Sequence, residues 1–334
     1  MSESDQRLLV PVKVRYEPNW LTWVASTTAC LRALAVDCDP TDVAGMSGYA
    51  FHIAVHPQLC PSGPTVLDWS GLEPGIRALG RSTVQFSSFE CHTRDNRSDR
   101  SRAHCRATFE LVRNEIEAGR PCVLWGAYVP EFAAVHGIEG DAYLVSSFRG
   151  AMKLEEPPVP FDAVEAPGGP HALGFPTATD YPPQRKDRPA VARAIRHSLE
   201  SIGWEPYEHG IRAFDAWAAA LEAKRAIRFG NAYNAACYAE ARAHASEFVF
   251  RAAKRHPVVS TALTAAGSSY GAVVEALQGL VELFPFRGPQ EQGVVDDRKA
   301  IGQAVTLLRT AKEAEISAVE SLREALRTLD WEQT

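Results

Sequence analysis

Nine prolines fall between residues 157 and 189, at 157, 158, 160, 167, 170, 176, 182, 183 and 189. No long helix runs through such a stretch, because proline fixes φ and lacks the N–H that a helix interior needs. The run separates two kinds of sequence. Before it, Gly, Pro and Asp interrupt short β-branched and aromatic segments. After Pro189, a residue suited to the first turn of a helix, Ala, Arg and Glu dominate and strand formers are few. One strand-like segment, Ala172-Leu173-Gly174-Phe175, breaks the run, and its end reads as a linker. At roughly 150 residues per domain, 334 residues give two domains. The expected division is 1–180 and 181–334.

The first half reads as mixed α and β. Leu21, Val24, Leu31 and Leu34 recur at helical spacing over about 21–34. Residues 37–80 suggest long loops with a short helix at 72–79, and Val84-Gln85-Phe86 reads as a strand. Phe109, Val112 and Ile116 mark an amphipathic helix over 104–118 that ends at Gly119. The runs 122–125, 132–135 and 143–145, with Glu139-Gly140-Asp141 as the last turn, predict an antiparallel meander. The second half is expected to be all helical, over about 190–202, 209–228, 232–255, 258–283 and 296–329. In the last of these, Ile301, Val305, Leu308, Val319, Leu322, Leu326 and Leu329 keep near-heptad register. Lys312 and Glu315 continue that stripe as charges, and read as an i,i+3 ion pair where the helix leaves the core.

Thirty-five Lys+Arg against 41 Asp+Glu give a net charge of −6, so nucleic acid is not an expected partner. No uncharged run approaches the roughly 18 residues of a membrane span, and Met1-Ser2-Glu3-Ser4-Asp5 is too acidic for a secretory signal. A cytoplasmic protein is therefore expected. The seven cysteines lack CxxC spacing and read as reduced. GxGxxG, GxxxxGK[ST] and GxSxG patterns are absent, so no nucleotide cofactor and no serine-hydrolase elbow are expected.

The helix carrying Ala25-Ser26-Thr27-Thr28-Ala29-Cys30-Leu31, the loops and helix after it, and the hairpin Glu131-Phe132-Ala133-Ala134-Val135-His136-Gly137-Ile138-Glu139-Gly140-Asp141 carry a resemblance. Together they resemble the papain-like N-terminal domain of the butirosin-biosynthesis acyltransferase family. More distantly they are similar to the double-glycine peptidases that trim bacteriocin leaders. Segments such as Phe214-Asp215-Ala216-Trp217 and 308–315 are like the helical domain that follows in those relatives, so the resemblance covers most of the chain. It implies an α+β papain-like domain followed by an all-α domain, in a bacterial protein. In that family a Cys opens the first helix, a His opens the later strand, and a carboxylate or Asn ends the next one. Carried onto this sequence, these positions fall at Ala25, Glu131 and Ser147. None can serve its role, so the resemblance implies a catalytically degenerate member, with no metal or cofactor, that binds a small molecule or an acyl carrier.

Other residues keep alternatives open. A five-residue shift makes Cys30 the nucleophile and His136 its base, although Cys30 lies two turns inside a helix where a thiol is buried and inert. Cys60, in the loop Leu59-Cys60-Pro61-Ser62-Gly63, has His56 four residues before it. His52 and His56 share the spacing that places two imidazoles on one helix face, where helix-surface or loop packing competes with metal binding. The adjacent Cys91 and His92 would point to opposite faces of a strand. Asn19, Trp20 and Trp23 flank the first helix, where a papain-like fold keeps its cleft. Asn231, Tyr233, Asn234 and Tyr238 form a polar-aromatic group, of which Asn231, Asn234 and Tyr238 share a helical face. Both groups suit a cleft, and both suit packing. The rival functions are a working acyltransferase or amide hydrolase using Cys30 or Cys60, and a helical interaction protein acting as a homodimer.

Overall fold

The computed structural model describes residues 7–179, 187–200 and 203–328. In chain order the strands are β1 (Arg7–Leu9), β2 (Ala54–Val55), β3 (Val84–Ser87), β4 (Cys122–Trp125), β5 (Phe132–Glu139), β6 (Ala142–Ser146), β7 (Val159–Pro160), β8 (His171–Gly174) and β9 (Glu208–His209). The helices are α1 (Thr22–Ala33), α2 (Pro40–Ser47), α3 (Glu73–Ala78), α4 (Asp99–Glu117), α5 (Phe148–Ala151), α6 (Asp187–Leu199), α7 (Arg212–Glu222), α8 (Arg228–Arg255), α9 (Ser260–Leu283) and α10 (Arg298–Arg327). They form two units, one of Met1–Val43 with Ile76–Tyr181 and one of Ala44–Gly75 with Pro182–Thr334. Residues 44–75, placed with the first domain by the linear division, thus group with the second. The linker expected at the end of the proline run falls at 180–186, outside the described residues.

The first unit is built on an antiparallel sheet ordered β3-β8-β4-β5-β6-β7, with β1 paired to β5 along Gly137–Glu139. The expected meander is its β4-β5-β6 portion, and β5 pairs with β6 across a bulge at His136. The strand inside the proline run is β8, a central strand between β3 and β4. Pro170 and Pro176 stop just outside it, so its ladder donors are kept. Every residue of α1 from Thr22 to Leu31 is buried, Ser26, Thr27 and Thr28 included. Helix α4 begins five residues before its expected start because Ser98 and Ser101 form a capping box. Cys105, Phe109, Val112 and Ile116 make its buried stripe.

In the second unit, Phe214 and Trp217 of α7, Tyr238 of α8, Leu277 of α9 and Leu308 of α10 share one apolar core with Ile53, Val55 and Leu59. That sharing explains why the 44–75 segment belongs here. The unit is helical apart from the antiparallel pair β2-β9, which corrects the all-helical expectation. Lys312 and Glu315 do not pair with each other. Lys312 Nζ meets the Asp215 carboxylate at 2.7 Å near the surface. Glu315 is fully buried and accepts from Arg242 Nε at 2.8 Å. The two side chains point different ways because i,i+3 positions sit about 60° apart around the helix axis, and each found a partner on another helix.

Candidate functional site

In the first unit, α1 opens against the start of β5. Asn19 Oδ1 accepts from the Leu21 N–H at 2.8 Å and sets the approach to the helix. The first helical residue, Thr22, donates its hydroxyl to Glu131 Oε2 at 2.5 Å and accepts from the Phe132 N–H at 3.1 Å. Ala25 lies buried one turn further along, so the α1 side chain that meets Glu131 belongs to Thr22. At the end of β6, Ser147 gives its hydroxyl and its N–H to Glu156 Oε1, each at 2.6 Å. It also accepts from the Arg149 N–H at 3.2 Å as the cap of α5. Arg149 lies over the Tyr128 ring, 4.9 Å from its centroid. Burial, reinforced by Glu156, pushes the Tyr128 hydroxyl up to about 12.

In this arrangement the Thr22 and Ser147 hydroxyls donate to carboxylates. His92 is bound to Ser101 and the Asp162 carbonyl, His104 to Ser88, and His171 to Ser87. His136 sits half-buried at the β5 bulge, with burial holding its pKa below the usual imidazole value. Cys30 is fully buried, and the cost of burying charge pushes its thiol far up. Burial thus disfavours the thiolate that the shifted Cys30–His136 pair would need. Trp20 is 39% exposed beside the helix start, whereas Trp23 is 2% exposed and belongs to the core, not to a cleft wall.

The remaining candidates lie in the second unit. His52 and His56 do not share a helix face, since β2 lies between them; His52 is buried and His56 is partly exposed. Among the described residues no group of three or more His, Cys, Asp or Glu could hold a metal ion. The His52 and His209 rings stand 6.0 Å apart. Burial, with His197, His209 and Arg242 around it, drives the His52 pKa well down, and burial lowers that of His209. His197 Nδ1 donates to the Gly48 carbonyl at 2.8 Å, so Nδ1 carries the ring proton. Gly48 has φ +85°, a conformation that favours glycine.

The polar face of α8 does a different job from the one its spacing suggested. Gly230, Asn234, Tyr238 and Arg242 recur every four residues, and each meets the backbone of the 50–60 segment. A Cβ at Gly230 would collide with the Leu59 carbonyl. Asn234 Nδ2 donates to the Cys60 carbonyl at 3.0 Å. The Tyr238 hydroxyl donates to the Ala54 carbonyl at 2.6 Å and accepts from the Ala54 N–H at 2.9 Å. Arg242 Nη1 donates to the carbonyls of Ala50 and His52 at 2.8 and 3.1 Å. Asn231, just off this row, accepts from Trp217 Nε1 at 2.8 Å. These side chains bind a segment some 170–190 positions away, not their own helix. Tyr233 turns elsewhere, against Phe229 and Phe286.

Arg242 extends the Asn234–Tyr238 spacing by one more step, so that row was readable. Thr22, His197 and His209 carry no such signal. The depression bounded by Ser317, Glu320, Ser321, Arg323, Glu324 and Arg327 is a polar surface of α10 alone and includes none of these residues. No helix among the described residues is long and apolar enough to cross a membrane. Comparison with protein-family models finds no match, and comparison with curated proteins finds no relative.

Proposed function

We propose that the first unit is a papain-like domain whose catalytic positions have been turned into structural bonds, and that it binds a small molecule or a carrier-held acyl group without turning it over. The observation that carries this reading is the Thr22–Glu131 bond at 2.5 Å. A carboxylate stands where the resemblance calls for an imidazole and an alanine, Ala25, where it calls for a thiol, while the Thr22 hydroxyl one helical turn earlier gives its proton to that carboxylate. A neutral alcohol facing a carboxylate is a weak nucleophile at neutral pH without a stronger base or a metal. Ser147, at the orienting position, spends its donors on Glu156. The exposed Trp20 supplies an aromatic surface beside the same helix start.

The test is equilibrium binding of S-butyl pantetheine, a thioether that cannot react, to the full chain and to Trp20→Ala. The expected result is saturable binding that the substitution weakens several-fold while the unfolding midpoint is kept. Binding that ignores Trp20, or no binding at any attainable concentration, contradicts the reading.

A further inference from the structure

Four alternate carbonyls of the 46–52 stretch are held by side chains that carry, or can take up, positive charge. Arg193 of α6 donates to the Met46 carbonyl through Nε and Nη2 at 3.1 and 2.7 Å. One turn further along α6, His197 donates to the Gly48 carbonyl, and Arg242 of α8 takes those of Ala50 and His52. All three donors are buried. His52 itself turns its ring onto Tyr49, with centroids 6.3 Å apart, and stands 6.0 Å from His209, which lies opposite Ala54 in the β2–β9 pair. His52, His197 and His209 are each no more than 2% exposed.

Charge around these three imidazoles is lopsided. His52 faces His197 from α6, His209 from β9 and Arg242 from α8. His197 has Arg193 and Arg196 beside it on its own helix. The carboxylates of Glu205 and Glu208 and the guanidinium of Arg212 act on His209 from the exposed side. From α10 comes Glu315, whose carboxylate is already shared between Arg242 and Ser198. Tyr238 of α8 and Tyr270 of α9 stay neutral, because burial raises both hydroxyls, and the 63–67 stretch beside His209 carries no titratable side chain. Among these groups one buried carboxylate, already bonded, thus stands against two buried guanidiniums and three imidazoles. A charge added to any of the imidazoles is desolvated and meets like charge.

We propose that His52, His197 and His209 are an acid-operated latch of the second unit: neutral, they keep 46–52 and β9 seated on α6 and α8, and charged, they open that contact while α8, α9 and α10 stay packed. Opening stops there because the long helices share an apolar core that includes Val273, Leu277, Val305 and Leu308. Above pH 6.5 the imidazoles are neutral whether the latch is closed or open, and it stays closed. Below that the open form takes up protons first, because burial holds His197 at about 4 and His52 well below the usual imidazole value in the closed form. From pH 7 to pH 5 each such histidine moves the balance about twentyfold toward the open form. The latch lies wholly in the second unit and stands independently of the Thr22–Glu131 reading.

Hydrogen exchange of the full native chain at pH 7 and pH 5, corrected for the intrinsic pH dependence of amide exchange, tests this. Protection over 46–52 and 207–211 should fall at least about twentyfold between the two. At pH 5 these peptides should exchange at least about tenfold faster than 270–280 of α9, with the helical circular dichroism of pH 7 retained. His52→Gln, which cannot take up the charge, should cut the pH-dependent loss at least about fivefold. His209→Gln should cut it in the same direction, and each variant is compared with itself at pH 7, so that a general loss of stability cancels. One common exchange rate for 46–52 and 270–280 at pH 5, or a loss between pH 7 and pH 5 that both variants share in full with the wild type, would overturn the proposal.

Discussion

Replacing Glu315 by glutamine keeps the shape of the α10 side chain and removes the carboxylate that faces Arg242. Both side chains are 0% exposed, and Arg242 Nε meets Glu315 Oε2 at 2.8 Å. The guanidinium keeps its bonds to the Ala50 and His52 carbonyls, but its Nη2 already lacks a partner, so the charge has little else to turn to. Removing one member of a buried pair typically costs about 3–5 kcal/mol, because the other charge remains desolvated. For a unit of this size each kcal/mol lowers the midpoint by about 2–4 °C, which gives a fall of roughly 6–20 °C. Urea unfolding followed by tryptophan fluorescence measures the free energy, and hydrogen exchange reads where it is lost. The expected exchange signature is faster opening of residues 50–60, the segment that Arg242 holds. The double variant Arg242→Met/Glu315→Leu should recover only part of the loss, since it removes the unpaired charge but leaves the Ala50 and His52 carbonyls without the Arg242 donor. A Glu315→Gln cost under about 1 kcal/mol would mean that water solvates the pair, and the buried-charge reasoning would be wrong.

Acid should destabilise the protein over a defined window. Burial holds His171 and His197 at about 4, against 6.5 for a free imidazole. Above pH 6.5 neither the folded nor the unfolded chain carries these protons, and the full stability is present. As pH falls from 6.5 through about 4, the unfolded chain takes them up first, so stability drops by about 1.4 kcal/mol per pH unit for each group. Urea midpoints at pH 7 and pH 5 check this, and equal values would refute it. Tyr238→Phe leaves both the N–H and the carbonyl of Ala54 without their partner. It should cost about 1–3 kcal/mol and loosen 54–60 in hydrogen exchange; unchanged exchange there would rule out the clamp assigned to α8.

Much of the fold was legible because periodicity reports burial. The meander at 122–146 and the long helices after residue 187 follow from alternation and from three- and four-residue spacing. What escaped was long-range pairing. Nothing local announces that residues 44–75 join the helical unit, because what holds them there is a row of polar side chains on α8 more than 170 positions away. The Lys312–Glu315 pairing failed for the same reason: spacing places two charges on a helix but not the partners that neighbouring helices bring. In the first unit, Glu131 and Ser147 were singled out only by the resemblance, and their partners Thr22 and Glu156 carry no local signal. The Thr22–Glu131 bond was not legible, because the spacing along α1 does not say which turn of the helix meets the start of β5. His52 and His56 looked paired only while the segment was imagined as helical.

The degenerate reading of the first unit meets its most direct test in sustained turnover of butyryl-pantetheine by the wild-type chain, Thr22→Val and Glu131→Gln. The expected result is the same for all three: no thioester consumed beyond one equivalent over the spontaneous background. Continued hydrolysis or transfer by the wild type, abolished in Thr22→Val and Glu131→Gln while both variants stay folded, would contradict it and make the Thr22–Glu131 pair a working active site.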